Sequence, residues 1–174
     1  TLATLTATGQ DKFHPECFAP YPEGFKTIKA NDYEAIKTAF DDTTAALFIE
    51  CIQGEGGVNL LDPAWIQAAS DAARAAGAIV MADEVQTGIG RTGTFLASDF
   101  LDFKPEVVTL AKGIAGGLPM GACLFRGKAA DVFVAGDHQS TFAGNPLVCA
   151  AAKVVLETVA DWEFLDRVNH VGDY

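Results

Sequence analysis

Basic residues are scarce in this chain of 174 residues. It has 12 lysines and arginines against 23 aspartates and glutamates, which gives a formal net charge of −11. This charge disfavours nucleic acid and anionic membranes as partners, because both are themselves polyanions. We therefore expect neither of them, and a phosphate-bearing ligand would need a locally favourable pocket, such as backbone N–H groups at a helix N-terminus.

Cysteine is also sparse, and the four residues Cys17, Cys51, Cys123 and Cys149 form no C-x-x-C pair. Their spacings suit neither zinc nor a compact disulfide framework, so no metal site is predicted. We expect them to be buried, reduced thiols, which favours a reducing compartment such as the cytoplasm. No apolar run is long enough to span a bilayer, and no secretory signal peptide is recognisable.

What the sequence does contain is an alternation of apolar runs with helical segments. The predicted strands are 45–49, 78–82, 107–111 and 122–125. Helices are predicted to begin at Asn31, where Glu34 completes a capping box, and at Asp62, and to cover 128–135, 145–159 and 161–174. Residues 94–106 are expected to form an irregular loop. This order predicts an α/β fold with a mostly parallel sheet and flanking helices.

Two charged residues end neighbouring predicted strands. Asp83 follows the apolar run that ends at Ala82, and Lys112 follows the run that ends at Ala111. Ligands of open α/β sheets bind outside the carboxyl ends of the strands, where a carboxylate is costly unless it meets a cation or hydrogen-bond donors. Asp83 is thus either paired structurally or directed at a positively charged ligand. Lys112 is either a solvated surface residue or a candidate nucleophile.

Pyridoxal 5'-phosphate (PLP) fits such a pair. A lysine amine has a pKa of about 10.4 and is almost entirely protonated at neutral pH. A Schiff base with the cofactor's aldehyde avoids that penalty, because an imine loses its proton more readily than an ammonium group. Asp83 would then face the ring nitrogen while Lys112 takes the aldehyde.

A glycine-rich stretch offers a different interpretation. Residues 88–93, Gly-Ile-Gly-Arg-Thr-Gly, match the G-x-G-x-x-G pattern of dinucleotide-binding oxidoreductases. That fingerprint requires the glycines directly between a strand and a helix, so that the pyrophosphate meets the helix N-terminus. Here residues 83–87 intervene, and Thr92-Gly93-Thr94 is a poor helix opening. We therefore expect a turn shaped for close backbone approach.

Four motifs in one order resemble the class III aminotransferases, which depend on PLP, and most closely their acetylornithine aminotransferase branch. The motifs are Glu50-Cys51-Ile52-Gln53-Gly54-Glu55-Gly56-Gly57, the stretch Asp83–Gly93, Leu110-Ala111-Lys112-Gly113 with Gly116–Ala122, and Ser140-Thr141-Phe142-Ala143-Gly144-Asn145-Pro146. The resemblance implies part of the large domain of a fold-type-I PLP-dependent transferase. Residues 1–174 would be its central part, with the N-terminal segment and the C-terminal small domain lying outside the chain.

The resemblance also implies roles for residues around the cofactor ring. Lys112 would form the Schiff base and, once released, move a proton between carbon atoms. Asp83 would keep the pyridine nitrogen protonated. Val85 would pack on one face of the ring, and Gln86 would hydrogen-bond near its phenolic oxygen.

Further roles are implied at the edge of the site. Glu55 would gate the substrate entrance by pairing with an arginine of the C-terminal part, and Glu50 would help to order the Gln86 region. Thr141, with Ser140 beside it, would bind the cofactor phosphate of the partner subunit, which implies a homodimer with shared active sites. The family usually has proline where Cys51 stands and glycine where Gln139 stands. Without the resemblance, Glu50 and Glu55 would be a solvated acidic loop, and the hydroxyls would cap a turn.

The implied activity is amino-group transfer between an amino acid and an oxo acid. The pair would be glutamate/2-oxoglutarate and acetylornithine/N-acetylglutamate semialdehyde, in arginine synthesis. Other class III enzymes that use ornithine, succinylornithine or 4-aminobutyrate remain alternatives. So do an NAD-dependent oxidoreductase, and a folded fragment without catalytic activity. We expect the 174 residues alone to be inactive.

Overall fold

Six strands and six α-helices form within residues 2–174, the part of the chain that this computed structural model describes. The strands are β1 (Ala46–Ile49), β2 (Ile52–Gln53), β3 (Asn59–Leu60), β4 (Ile79–Asp83), β5 (Val107–Leu110) and β6 (Ala122–Phe125). The helices are α1 (Leu2–Ala7), α2 (Tyr33–Ile36), α3 (Pro63–Ala75), α4 (Ala97–Phe100), α5 (Pro146–Val159) and α6 (Trp162–Asp173). Short 3₁₀ turns occur at Asp11–Phe13, Glu16–Phe18, Lys112–Ala115 and Gly127–Ala129.

The main sheet has four strands in the order β1-β4-β5-β6. β4 pairs in parallel with both β1 and β5, while β6 pairs antiparallel with β5. The predicted α/β fold with a mostly parallel sheet is therefore confirmed. Strands β2 and β3 form a separate antiparallel pair that closes the turn after β1.

Helix α3 covers β1 and β4. It begins at Asp62, whose Oδ1 accepts the N–H of Ala64 at 2.9 Å, and proline occupies the first turn. Its buried residues include Trp65 and Ile66, which pack in one cluster with Val80 of β4. Burying a side chain of this size contributes about 1.5–3 kcal/mol. The helix ends just before Gly77, whose φ of 89° favours glycine.

A second cluster joins β5 to α5. Val108 and Leu110 pack there with Ala152 of α5. The register pairs Ala82 with Val108 and Asp83 with Thr109. Because paired residues point to the same face, both clusters lie on one face of the sheet, and Asp83 and Thr109 point to the other.

Three local predictions are wrong. Asp32, not Asn31, caps α2: its Oδ1 accepts the N–H groups of Glu34 and Ala35. Asn31 instead adopts a φ of 61° and accepts the N–H of Asp62 at 2.8 Å. The predicted helix 128–135 shortens to a 3₁₀ turn at Gly127–Ala129, and the predicted loop 94–106 contains α4.

The cysteines are free, but only Cys51 is buried. Burial, together with the nearby charge of Glu84, raises the pKa of the Cys51 thiol to about 12. Cys149 is partly buried, whereas Cys17 and Cys123 are exposed. The prediction of burial fails for Cys123 because β6 is an edge strand in which Cys123, Leu124 and Phe125 are all exposed, on both faces of the sheet.

Candidate active site

Asp83 ends β4 and is half-buried. Its Oδ1 accepts the N–H of Val85 at 2.9 Å and the hydroxyl of Thr109 at 3.3 Å. Among residues 2–174, no basic side chain forms an ion pair with it. The carboxylate is therefore oriented by a backbone N–H and a neighbouring strand while its charge is not neutralised by a cation of the described chain.

Lys112 follows β5 and begins the 3₁₀ turn Lys112–Ala115. Its φ is 48°, in the left-handed region that side chains with a Cβ rarely adopt. Such a conformation costs about 1–3 kcal/mol and persists only where the surrounding fold holds it. Here Ile114 and Ala115 are buried in the cluster with α5, so the turn is fixed while the Lys112 side chain stays exposed.

A cavity of about 520 Å³ opens at this end of the sheet. Its volume lies within the range of about 300–1,000 Å³ that is typical of ligand pockets. Three of the predicted site residues line it: Val85, Gln86 and Lys112. The remaining wall is formed by Ile52, Gly54, Val58, Thr87, Gly88, Ile89, Arg91, Thr92 and Gly113.

The side chains of Glu50 and Gln86 both contact the turn at Gly54. The Oε2 of Glu50 accepts the N–H of Gly54 at 3.1 Å. A Cβ on Gly54 would lie 2.6 Å from the Cδ of Gln86, so a larger residue here would displace the Gln86 amide from its present position. Burial raises the pKa of Glu50, the Gly54 N–H opposes it, and the charge of Asp83 adds to the rise. Glu55 is exposed on the same turn.

Ser140 and Thr141 lie elsewhere. Both are exposed, in the loop that precedes α5, and neither lines the cavity. Asn145, which follows them, caps α5 by accepting the N–H of Val148 at 3.0 Å. Within residues 2–174 the structure thus brings Lys112, Val85 and Gln86 together, with Asp83 on the adjacent strand end, and leaves the two hydroxyls apart.

The glycines at 88–93 serve close packing, as predicted. A Cβ on Gly90 would lie 2.6 Å from Cγ1 of Val159, and one on Gly93 would lie 1.7 Å from Oδ1 of Asn169. Asn169 Nδ2 also donates to the Gly93 carbonyl at 3.0 Å. Helices α5 and α6 occupy the space beside these glycines. No helix begins at Gly93; the next one starts at Ala97, so the dinucleotide fingerprint lacks its required context.

Comparison with known proteins agrees with this arrangement. The aminotransferase class-III family matches residues 1–174. The chain belongs to this family. The chain is 49% identical over 173 residues to an acetylornithine aminotransferase from Haemophilus ducreyi, covering 99% of the chain and 44% of that protein. It is 44% identical over 174 residues to one from Aquifex aeolicus, covering 100% of the chain and 46% of that protein.

Solved structures share the fold. An ornithine aminotransferase from Toxoplasma gondii superposes with a TM-score of 0.91 at 35% identity, covering 99% of the chain and 41% of that protein. An N-acetylornithine aminotransferase from Stenotrophomonas maltophilia gives a TM-score of 0.77 at 35% identity, covering 88% of the chain and 40% of that protein. Another structure of the Toxoplasma enzyme is described with partial occupancy of PLP at its active site. The chain spans less than half the length of these relatives.

Sequence reasoning missed one charged residue beside the site. Glu84 is only 1% exposed, and its carboxylate accepts three hydrogen bonds. The signal was present in β4, where Val80 and Ala82 are buried and the residues between them are not. Extending this alternation by two residues places Glu84 on the buried face. Thr109 was missed as well, because its contact with Asp83 depends on the strand register.

Proposed function

We propose that this class III aminotransferase holds PLP in the cavity beside Lys112. The observation that carries the proposal is the convergence of Lys112, Val85 and Gln86 on one cavity, with Asp83 at the end of the adjacent strand. These residues provide an amine, an apolar branched side chain, an amide and a carboxylate. Such a set fits a planar pyridine ring with an aldehyde, and the cavity is large enough to hold it.

The chain's own residues would divide the work as follows. Asp83, oriented by Val85 N–H and Thr109, would hold a proton at the pyridine nitrogen. Val85 would pack on the ring face and exclude water from it. When bound, PLP supplies an aldehyde for amino-group exchange and a ring that withdraws electrons. Lys112 Nζ would hold the cofactor and then move a proton between substrate carbons. Gln86, fixed against Gly54, would orient the ring.

The proposed substrates are amino and oxo acids. We infer glutamate/2-oxoglutarate and acetylornithine/N-acetylglutamate semialdehyde, in arginine synthesis, because the curated relatives that match most of the chain carry the acetylornithine name. Ornithine is a second candidate, since an ornithine aminotransferase superposes with a TM-score of 0.91. Comparing kcat/KM for acetylornithine, succinylornithine, ornithine and 4-aminobutyrate separates these candidates.

The proposed assembly is a cytoplasmic homodimer with shared active sites, in which the chain is the central part of a longer polypeptide. Ser140 and Thr141 are exposed and stand apart from the cavity of their own chain, which supports a role toward a second subunit. Glu55 is exposed on the turn whose residues Gly54 and Val58 line the cavity. This position supports a role in gating substrate. Within residues 2–174, no helix has the length and apolar character needed to cross a membrane.

Reductive trapping tests the proposed function. The protein is incubated with PLP, reduced with borohydride and digested, and the added mass is located by peptide mapping. We expect the label on Lys112, and we expect it to disappear in Lys112→Ala. Lys128→Ala is the matched control, because Lys128 is exposed and remote in sequence from the cavity lining. It should leave the labelling of Lys112 unchanged.

The length of the polypeptide is the second variable. The trapping is run on the 174-residue chain and on the full-length protein. Selective labelling only in the full-length protein supports the interpretation of the chain as a part without activity of its own. Label scattered over surface lysines in the full-length protein contradicts the proposed function.

A further inference from the structure

Glu84 is a carboxylate in the interior, directly after Asp83. It is 1% exposed, and among residues 2–174 no lysine or arginine pairs with it. A buried charge is costly unless donors surround it. Three donors surround Glu84. Its Oε2 accepts hydrogen bonds from the Thr87 hydroxyl at 2.5 Å and the Ala97 N–H at 3.0 Å, and its Oε1 accepts one from the Ser98 N–H at 2.7 Å.

The backbone of Glu84 is fixed as well. Its N–H donates to the Thr109 carbonyl at 3.0 Å, which extends the pairing of β4 with β5. Its carbonyl accepts the Gly88 N–H at 2.9 Å, and a Cβ on Gly88 would approach that oxygen to 2.8 Å. Glu84 thus binds the start of the following loop through its backbone and the end of that loop through its side chain.

That loop, residues 85–96, forms most of the cavity wall. Val85, Gln86 and Arg91 all belong to it. Hydrogen bonds restrain the far end of the loop, from Glu84 to Ala97 and Ser98 and from Asn169 to the carbonyl of Gly93. Two loop residues, Ile89 and Leu96, also pack against the cluster that joins β5 to α5. Within the described residues 2–174, Glu84 is the one side chain that accepts hydrogen bonds both from the start of this loop, at Thr87, and from the residues directly after it, and it thereby helps to set the position of the cavity wall.

We propose that Glu84 is a positioning residue for the cofactor cavity, which holds loop 85–96 in the shape that presents Val85 and Gln86 to the ring. This inference rests on the proposed function, because it concerns the same cavity. It differs in assigning the shape of the cavity to a side chain that does not line it.

The test is Glu84→Gln in the full-length enzyme. The amide keeps the volume but has a single acceptor oxygen, and its NH₂ group faces an N–H or O–H donor. We expect the dissociation constant for PLP to rise about tenfold, since hydrogen bonds to a charged group are the stronger ones. It is measured by absorbance titration well below the unfolding temperature, with the folded fraction followed by circular dichroism.

Glu106→Gln is the matched control. Glu106 is a partly buried carboxylate that, like Glu84, accepts a backbone N–H, here from Val80 at 2.8 Å, and it pairs with Arg74 at 3.0 Å. It precedes β5, at the end of the strand opposite Lys112. This variant should lose stability while its dissociation constant for PLP stays within about twofold, because the partners of the Glu106 side chain, Arg74 and Val80, do not line the cavity.

The outcomes separate the inference from the proposed function. An unchanged dissociation constant in folded Glu84→Gln, with only stability reduced, overturns the inference. If that variant does not fold, Thr87→Val removes one donor at nearly constant volume, and we expect about a threefold rise; no change there overturns the inference too. Failure of the wild-type enzyme to carry PLP on Lys112 overturns the proposed function, and the inference with it.

Discussion

At the scale of single residues, the proposed site includes one residue with a strained backbone and one buried charged group. Lys112 has a φ of 48°, and Glu84 is 1% exposed. The backbone strain at Lys112 costs about 1–3 kcal/mol, and burying the Glu84 charge costs more than that unless neighbouring contacts offset it. Glu84 is satisfied by three donors, and the turn after Lys112 is fixed by buried Ile114 and Ala115.

Glu50 gives a prediction for the pH dependence of stability. Its pKa is raised above the ordinary 4.5, chiefly by burial. The folded state therefore binds the proton more tightly than the unfolded state, and the contribution of Glu50 to stability is present below pH 4.5 and lost as the pH rises through the folded pKa. Glu50→Gln should raise the free energy of unfolding at pH 7 by about 0.5 kcal/mol, a small gain because solvent screens the half-buried group.

Urea unfolding at a series of pH values measures this difference. The gain of Glu50→Gln over wild type should shrink toward zero as the pH falls below 4.5, where both side chains are neutral. The amide oxygen can still accept the Gly54 N–H, so the hydrogen bond is conserved. A difference that is independent of pH would contradict the assignment to Glu50 ionisation.

At the scale of elements, the glycine loop and helix α6 form one unit. Gly93 has a φ of 83°, and an added Cβ would meet Asn169 at 1.7 Å. Gly93→Ala should lower the free energy of unfolding by about 2–3 kcal/mol, because the backbone is strained and Asn169 must move away and lose its hydrogen bond to the Gly93 carbonyl. Gly136→Ala is the matched control: its φ is 103° but no heavy atom lies within 4 Å of the added Cβ. It should cost only about 1–2 kcal/mol.

A double-mutant cycle isolates the contact in the same urea experiments. In the background of Asn169→Ala, the cost of Gly93→Ala should approach that of Gly136→Ala, because the obstructing side chain is gone. Equal costs of Gly93→Ala in both backgrounds would show that the clash with Asn169 does not contribute.

Elements with local signals could be predicted from the sequence, and those with distant causes could not. The apolar runs of β4 and β5 and the Asp62-Pro63 start of α3 are local, and all three lie where they were predicted. Helix α4 escaped prediction because the carboxylate that receives its first N–H groups is Glu84, 13 residues earlier in the chain. The start of α2 was misassigned because Asn31 is engaged by Asp62 across 31 residues.

The candidate site also has a part that the sequence predicts and a part that it does not. The strand-end positions of Asp83 and Lys112 followed from the pattern of the sheet, and the cavity lining includes Lys112, Val85 and Gln86. The partners of these residues did not follow, because register decides that Thr109 meets Asp83 and chain reversal decides that Gly54 meets Gln86. Interactions across strands require the register, which the sequence alone did not specify.

At the scale of the whole molecule, the proposed shared sites predict complementation between inactive subunits. In Lys112→Ala protomers the amine is missing, and in Thr141→Ala protomers the proposed phosphate contact is missing. A mixed dimer then has one site with both residues intact and one with neither. Random mixing makes half of the dimers mixed, so activity should recover to about one quarter of wild type.

Aminotransferase activity of co-expressed variants of the full-length enzyme measures this recovery. Each variant alone sets the baseline, and mixtures in which both protomers carry Lys112→Ala control for total protein. Activity that does not rise above the two baselines would show that Thr141 serves its own chain or no site at all.

The alternation of side chains between the two faces of β4 also restricts which insertions and deletions the gene can tolerate. Asp83 and Glu84 are successive residues on opposite faces, one beside Thr109 and the other in the interior. Inserting or deleting a single codon within Ile79–Asp83 would exchange the two carboxylates between these faces, because side chains alternate along a strand. The contact of Asp83 with Thr109 and the buried hydrogen bonds of Glu84 would then be lost together. Length differences between descendants are therefore expected in surface turns away from the cavity, such as 41–44, and not in this strand.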